Sequence, residues 1–255
     1  MACRSASARR CLDLTDIGTY KAVLALTVLS PGTPMLFQGQ EFGATTPFYY
    51  FADHKPELAE LVAKGRREFM LQFATAATPE MRDCLPDPAD PEAFERCKLD
   101  WSQAEKNESM VRFHRDLLTL RREDTTFHNP RPGTVDGAVL SANAFLLRFF
   151  GETPAEDRLL VVNLGRDILA TPAPEPLVAA PLNMQWDVAW STEDPRYGGC
   201  GTTGMDLEGN GRIPGRAAVV LRPGPETRPR SGGRPLEKVV RERNIKAIEN
   251  RGEKP

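Results

Sequence analysis

The chain has 255 residues, with 33 Lys and Arg against 35 Asp and Glu, and a formal net charge of −2. A hydrophobic content of 40% and a charged content of 27% predict a globular protein of one large or two ordinary domains. The near-neutral charge excludes a general nucleic-acid-binding protein, and the longest apolar run, residues 22–29, is too short to cross a bilayer. The five cysteines are scattered without a C-x-x-C pair, which favours reduced thiols in the cytoplasm.

The first part of the chain has the periodicity of helices. Residues 1–10, MACRSASARR, are expected to be irregular, and they resemble the beginning of a transit peptide or a mis-started reading frame. Residues 19–29 predict a buried helix, and residues 34–37 predict a short buried strand. Residues 38–54 have no period and predict a long loop, which a second helix follows over residues 56–73.

The middle of the chain predicts a connector and a third helix. Residues 75–101 are rich in proline, which predicts irregular structure. Ser102 and Glu105 have the spacing of a capping box, and the helix that they begin is expected to end near Arg121 and Arg122.

Beyond about residue 130, short β-rich runs separated by Gly and Pro replace the helices. This pattern predicts an antiparallel sandwich rather than βαβ units. The spacing of Trp186 and Trp190 places both on one face of a strand, in the core. The predicted strands are residues 144–150, 158–164, 186–190 and 217–221.

The helix–strand–loop–helix pattern of the first part is typical of an α/β barrel, in which loops after strands build the active site. Gln38, Gln40, Glu41, Asp53 and His54 lie in such a loop. Glu41 and Asp53 could form the carboxylate pair of a glycosidase, or they could brace the loop through hydrogen bonds. His54 beside Asp53 could form an acid–base dyad, or it could be a solvated side chain.

Four consecutive aromatic residues, 48–51, belong to the same loop. Such a surface could stack on sugar rings, or it could pack the loop onto the barrel. The chain contains no G-x-S-x-G, no P-loop and no G-x-G-x-x-G, so hydrolysis by a Ser-His-Asp triad and nucleotide binding have no motif to support them.

Residues 30–54, SPGTPMLFQGQEFGATTPFYYFADH, resemble the eighth barrel strand and following loop of the maltooligosyltrehalose trehalohydrolases. These enzymes are glycoside hydrolases of the α-amylase superfamily. The element EDPRYGG at residues 193–199 supports the resemblance, which covers residues 11–223. Further matching segments are residues 57–69, 85–102, 114–124, 159–167, 190–202 and 213–223.

The resemblance implies the C-terminal remnant of a (β/α)8 barrel followed by an antiparallel β-sandwich, thus an α/β part plus an all-β part. Its implied activity is hydrolysis of the α-1,4 bond next to a terminal trehalose unit, without a metal or organic cofactor. The implied partner, if the barrel is completed, is maltooligosyltrehalose or a related α-glucan. The net charge and the short apolar runs, as stated above, predict no nucleic acid and no membrane as partners. The implied substrate-binding residues are Gln40, Glu41, Tyr50, Asp53 and His54. The implied organisation is the barrel end (11–130) followed by the β-sandwich (131–222). Outside the resemblance, residues 1–10 are expected to be an irregular N-terminus, and the Pro-, Gly- and Arg-rich composition of residues 223–255 predicts a disordered basic tail.

The chain departs from the family at its catalytic positions. The superfamily carries its three catalytic carboxylates on earlier barrel strands, the last of them in an Asn-His-Asp motif that does not occur here. No catalytic residue can therefore be assigned, and we expect this chain to be inactive by itself. The alternatives are a non-catalytic carbohydrate-binding or interaction module, and a split enzyme whose barrel half is a separate polypeptide.

Overall fold

A computed structural model describes residues 8–73, 86–169, 175–203, 205, 207 and 211–226. The remaining residues, which include most of the predicted basic tail and part of the proline-rich connector, lie outside the described part. The helices of four or more residues are α1 (Ile17–Leu29), α2 (Pro56–Met70), α3 (Pro91–Glu95), α4 (Ser102–Lys106), α5 (Glu108–Glu123) and α6 (Thr125–His128). The strands are β1 (Val135–Ser141), β2 (Ala144–Phe149), β3 (Arg158–Asn163), β4 (Ile168–Leu169), β5 (Met184–Ser191), β6 (Arg212–Ile213) and β7 (Ala217–Pro225).

Helix α1 is buried on most sides, and its existence confirms the prediction over residues 19–29. The Asp16 carboxylate caps its first turn by accepting a hydrogen bond from the backbone N–H of Thr19, at 2.9 Å. At the other end, the Arg121 guanidinium donates to the carbonyl oxygens of Ser30, at 2.9 Å, and of Gly32. None of the helices in the described residues is long and apolar enough to cross a membrane.

The predicted strand over residues 34–37 is wrong. The segment is extended, but none of the strand pairings in the described part of the chain includes it. Met35 is 89% exposed, so the segment is not buried either. Local apolar character was the basis of the prediction, whereas a strand also needs a neighbour to complete its backbone hydrogen bonds.

The predicted third helix is two helices, and the predicted capping box is wrong. Asn107 has a non-helical backbone between α4 and α5, and its side-chain amide donates to the carbonyl oxygen of Phe42, at 3.0 Å. Ser102 is the first residue inside α4 rather than its cap. The Asp100 carboxylate instead accepts from the backbone N–H of Ser102, at 3.0 Å, and so takes over the role assigned to the serine.

Five strands form one antiparallel sheet in the order β1–β2–β3–β7–β5, and β4 pairs with β6. The antiparallel sheet is as predicted, but strand β1 was missed because all seven of its residues are half-buried or exposed, so that its sequence has no buried apolar face. One face of the sheet packs against α1 and α5. The other face packs against the small β4–β6 pair and the loops beside it.

Trp186 and Trp190 are both buried, as predicted, but on opposite faces of the sheet. A β-bulge interrupts the pairing of β5 with β7 between Val188 and Trp190. The extra residue reverses the direction of the side chains that follow it. Trp186 therefore packs away from the helices, whereas Trp190 packs into the core that the sheet shares with α1 and α5.

The EDPRYGG element joins the sheet to the helices through Tyr197. The Tyr197 hydroxyl donates to the Asp116 carboxylate on α5, at 2.7 Å, and accepts from the indole N–H of Trp190, at 3.2 Å. The Lys21 ammonium on α1 donates to the carbonyl oxygen of Tyr197. Tyr197 is 1% exposed, so these contacts lie inside the shared core.

Candidate functional site

The loop over residues 38–54 turns sharply at its beginning. A 3₁₀ turn, Gln40–Phe42, lies between Gly39 and Gly43, whose φ angles of 77° and 64° are in the left-handed region that favours glycine. A Cβ atom on Gly39 would also lie 2.7 Å from the Cβ of Ala44. Phe42 is 1% exposed and anchors the turn in the protein interior.

Arg10 holds the two sides of this loop together. Its Nε donates to the carbonyl oxygen of Thr46, at 2.6 Å, and its Nη1 donates to that of Gln38, at 2.7 Å. The guanidinium carbon lies 5.7 Å from the ring centre of Phe37, and Arg10 is only 6% exposed. No sequence pattern predicts this role, because Arg10 belongs to the segment over residues 1–10 that is predicted to be irregular.

Gln40 and Glu41, two of the predicted site residues, occupy the 3₁₀ turn. The Gln40 side-chain oxygen accepts from the backbone N–H of Phe37, at 3.0 Å, so part of this amide shapes the loop. Glu41 is half-buried, and its carboxylate forms no hydrogen bond with the described residues. Its negative charge favours the protonated forms of Arg10, Tyr20 and His114.

The groups around Glu41 are buried and have shifted pKa values. Burial is the main cause that raises the pKa of Tyr20 to about 12, and the Tyr20 hydroxyl lies 3.5 Å from the carbonyl oxygen of Gln40. Burial also lowers the pKa of His114, whose Nδ1 lies 2.9 Å from the carbonyl oxygen of Met110. The His114 Nε2 is buried without a hydrogen-bond partner in the described chain. Glu41 therefore lies in a setting where charge is poorly screened.

Tyr50, Asp53 and His54 lie farther along the loop, and all three are exposed. The Arg66 guanidinium carbon on α2 is 4.9 Å from the ring centre of Tyr50. No hydrogen bond or ion pair within the described residues joins Asp53 to His54 or to Glu41. The structure thus places Gln40 and Glu41 together in the turn and the other three on the outer part of the loop.

The aromatic run both packs the loop and borders a cavity. Phe48 contacts Phe37 with ring centres 4.8 Å apart, and Phe51 contacts Phe94 at 5.1 Å. Beyond Phe94 lies a cavity of about 410 Å³. Its lining includes Gln38, Phe51, Phe94, Lys98, Leu99 and Trp101.

Two residues of this lining were missed by sequence reasoning. Phe94 and Trp101 are 45% and 64% exposed, and both lie in the segment that was predicted only as a connector and helix start. A tryptophan between Asp100 and Ser102 was a signal, because its neighbours provide no apolar stripe that would bury it. Among the described residues, no group of three His, Cys, Asp or Glu side chains could hold a metal ion.

Comparisons with known proteins agree with the resemblance described above. Residues 132–220 match a family model described as a domain of unknown function, DUF3459. The chain is 38% identical over 164 residues to malto-oligosyltrehalose trehalohydrolase of Deinococcus radiodurans. The aligned residues are 62% of this chain and 25% of that protein. The chain is 44% identical over 109 residues to the protein of the same name from Mycobacterium tuberculosis, covering 42% and 18% respectively.

A solved structure has a similar fold. A putative alpha amylase from Salmonella typhimurium matches with a TM-score of 0.64 and 23% identity, over 87% of this chain and 33% of that one. The chain spans about a quarter or less of the length of the curated relatives that it matches. It therefore has an α-amylase-like fold and resembles the malto-oligosyltrehalose trehalohydrolases over a part that fits their C-terminal region, as the sequence indicated.

Proposed function

We propose that this chain is the C-terminal part of a trehalose-releasing glycoside hydrolase. In this proposal, residues 11–130 form the end of a (β/α)8 barrel, and the β-sandwich domain extends from residue 131 to Pro225. Strand β7 thus continues three residues beyond the predicted domain boundary at residue 222, into the first residues of the predicted tail. The rest of that tail, beyond residue 226, lies outside the described residues. The reaction is hydrolysis of the α-1,4 bond next to the terminal trehalose unit of maltooligosyltrehalose. The observation that carries the proposal is the identity of 38–44% to trehalohydrolases over the matched segments.

The extended segment over residues 34–37 supports the proposal that this chain completes a barrel with further strands. Its apolar Met35 is 89% exposed, and its backbone has no strand beside it in the described residues. Strands on either side would satisfy the backbone groups of the segment and would bury Met35. We assign this role to the barrel strands that also carry the catalytic carboxylates.

The loop over residues 38–54 is proposed to border the sugar cleft of the complete enzyme. Glu41 is the strongest candidate for contact with substrate, because its carboxylate is half-buried and unbonded in the described structure. A carboxylate in this condition can accept a hydrogen bond from a sugar hydroxyl. Gln40, Tyr50, Asp53 and His54 are proposed as further contacts along the same loop.

The proposed compartment is the cytoplasm. Cys11, Cys97 and Cys200 are free thiols, and two of these three, Cys11 and Cys200, are exposed. Exposed thiols persist most readily in a reducing compartment.

A complementation experiment tests the proposal. The 255-residue chain and a Deinococcus radiodurans trehalohydrolase lacking its matching quarter are purified separately and mixed, and trehalose release from maltooligosyltrehalose is measured. We expect release from the mixture and none from either polypeptide alone, since general acid and nucleophile are both required. Trehalose release by this chain alone, or no release by a mixture shown to associate, would refute the proposal.

A pair of variants then tests the loop. Glu41→Gln removes the charge and should lower kcat/KM of the mixture at least about tenfold with little change in melting temperature. Glu57→Gln makes the same chemical change at an exposed position in the first turn of α2 and should leave kcat/KM unchanged. If kcat/KM is the same for both variants, Glu41 does not contact the substrate and its role is structural.

A further inference from the structure

The cavity beside the loop has the size of a ligand site. We name it the Trp101 groove, after its most exposed aromatic residue, and its lining includes Gln38, Phe51, Phe94, Lys98 and Trp101. Its volume of about 410 Å³ falls within the range of small-molecule pockets. The groove does not include Glu41 or the other residues proposed above for the cleft.

Two aromatic rings in the groove pack against neighbouring side chains and yet remain partly exposed. Trp101 packs against the buried ring of Phe42 with ring centres 5.4 Å apart, yet it remains 64% exposed. Phe94 packs against Phe51 and remains 45% exposed. Large apolar side chains that remain exposed on the surface are typical of sites that bind a partner or a ligand and bury these side chains on binding.

The polar groups of the groove favour a neutral ligand. Lys98 is the charged residue of the lining, and its ammonium forms an ion pair with Glu95 at 2.7 Å and lies 5.1 Å from the ring centre of Phe94. This exposed ion pair lowers the net positive charge at the groove, which favours a neutral ligand over an anionic one. The Gln38 side-chain amide forms no hydrogen bond with a described residue, so it can donate and accept.

Flat apolar faces together with one free amide suit a pyranose ring, which has C–H groups on its faces and hydroxyls at its rim. We propose that the Trp101 groove binds a glucose unit of an α-linked glucan. Trp101 stacks on the face of the ring, and Gln38 hydrogen-bonds to its hydroxyls. The choice of an α-linked glucan among neutral sugars rests on the proposed function, whereas the stacking site rests on the geometry of the groove.

Binding is tested on the complete 255-residue chain by isothermal titration calorimetry with maltotetraose, and with cellotetraose as the β-linked control. Intrinsic fluorescence gives a second readout, because Trp101 is exposed whereas Trp186 and Trp190 are each 8% exposed. We expect saturable binding of maltotetraose that protects the fluorescence from quenching by acrylamide. Cellotetraose should bind at least about tenfold more weakly.

Variants locate the site. Trp101→Ala should raise the dissociation constant for maltotetraose about tenfold or more, Trp101→Phe should raise it less, and Gln38→Ala should raise it several-fold. Met35→Ala, which alters an exposed apolar residue outside the groove, should leave it unchanged. Near-ultraviolet circular dichroism confirms that each variant is folded.

The outcomes separate this inference from the proposed function. Absence of saturable binding, or unchanged affinity in folded Trp101→Ala, would overturn the groove even if the complemented enzyme releases trehalose. Equal affinity for cellotetraose would overturn the assignment to α-linked glucans. Protection of Trp101 from quenching by the complementing polypeptide without sugar would identify the groove as a contact between polypeptides and would also overturn it. Binding that depends on Trp101, in a mixture that associates but releases no trehalose, would support the groove and refute the reaction.

Discussion

Arg10→Ala is expected to release the loop that carries Glu41. Arg10 makes two hydrogen bonds from a charged donor, to the carbonyl oxygens of Gln38 and Thr46, and it is almost fully buried. Such bonds contribute about 1.5–3 kcal/mol each, so the gross loss is about 3–6 kcal/mol.

Part of this loss is offset, because the buried guanidinium is itself unfavourable. Burial is the main cause that lowers the pKa of Arg10, and its Nη2 is buried without a partner among the described residues. We therefore expect a net local cost of about 3 kcal/mol, which corresponds to an increase of about a hundredfold in the opening of the loop.

Hydrogen exchange of backbone amides measures this opening. The N–H of Ala44 donates to the carbonyl oxygen of Gly39 at 2.8 Å, inside the segment that Arg10 closes. Its exchange should accelerate by about a hundredfold in Arg10→Ala, and by less in Arg10→Lys, because lysine keeps the charge but lacks the forked donor.

Arg115→Ala is the matched control, since it removes the same side chain from an exposed site on α5. Exchange at Ala44 should not change in this control. Equal acceleration in both variants, or no acceleration in Arg10→Ala, would refute the assignment of Arg10 as the residue that closes the loop.

Two further predictions concern the core behind the loop. Because burial lowers the pKa of His114, the unfolded chain binds a proton below about pH 6.5 that the folded chain rejects, so stability falls as the pH decreases from there towards the lower folded pKa. Urea unfolding at pH 7.5 and 5.5 should show a smaller difference in stability for His114→Leu than for the unmodified chain. An unchanged difference in His114→Leu would contradict this account. Tyr197→Phe should cost about 1–3 kcal/mol in urea unfolding, because Asp116 loses a donor and the Trp190 indole loses an acceptor; a cost below about 0.5 kcal/mol would show that these bonds contribute little.

Elements determined by local patterns could be predicted from the sequence. The helices α1 and α2 and the strands β2, β3, β5 and β7 all follow from apolar periodicity and from Gly or Pro at their ends. The wrong predictions concern elements whose structure depends on residues far away in the sequence. Residues 34–37 have the apolar character of a strand but lack a neighbouring strand in the described chain, and the bulge near Trp190 depends on how β5 pairs with β7.

The site was only partly accessible from the sequence for the same reason. The resemblance located the loop and its candidate residues, and composition identified its aromatic run. The anchoring by Arg10 was not predictable, because its acceptors lie 28 and 36 residues away along the chain. The Trp101 groove likewise combines Gln38 with residues some 60 positions later, which no local motif connects.

Helix α1 connects the β-rich region to the loop that carries Glu41. Two consecutive residues of α1 make the connection. The Tyr20 hydroxyl lies 3.5 Å from the carbonyl oxygen of Gln40 in the loop, and the Lys21 ammonium donates to the carbonyl oxygen of Tyr197 beside the sheet. Tyr197 in turn donates to Asp116 on α5.

Helix α5 likewise connects the loop to the β-rich region. His114 lies within electrostatic reach of Glu41, and Asp116, two residues later, accepts from Tyr197. The sheet and the 3₁₀ turn are thus held by the same two helices, and their apolar faces share one core with the sheet. Because closely packed cores transmit displacements rather than absorb them, a shift of the sheet against α1 and α5 would move the supports of Glu41. The β-rich region and the loop are therefore connected through the same two helices, α1 and α5.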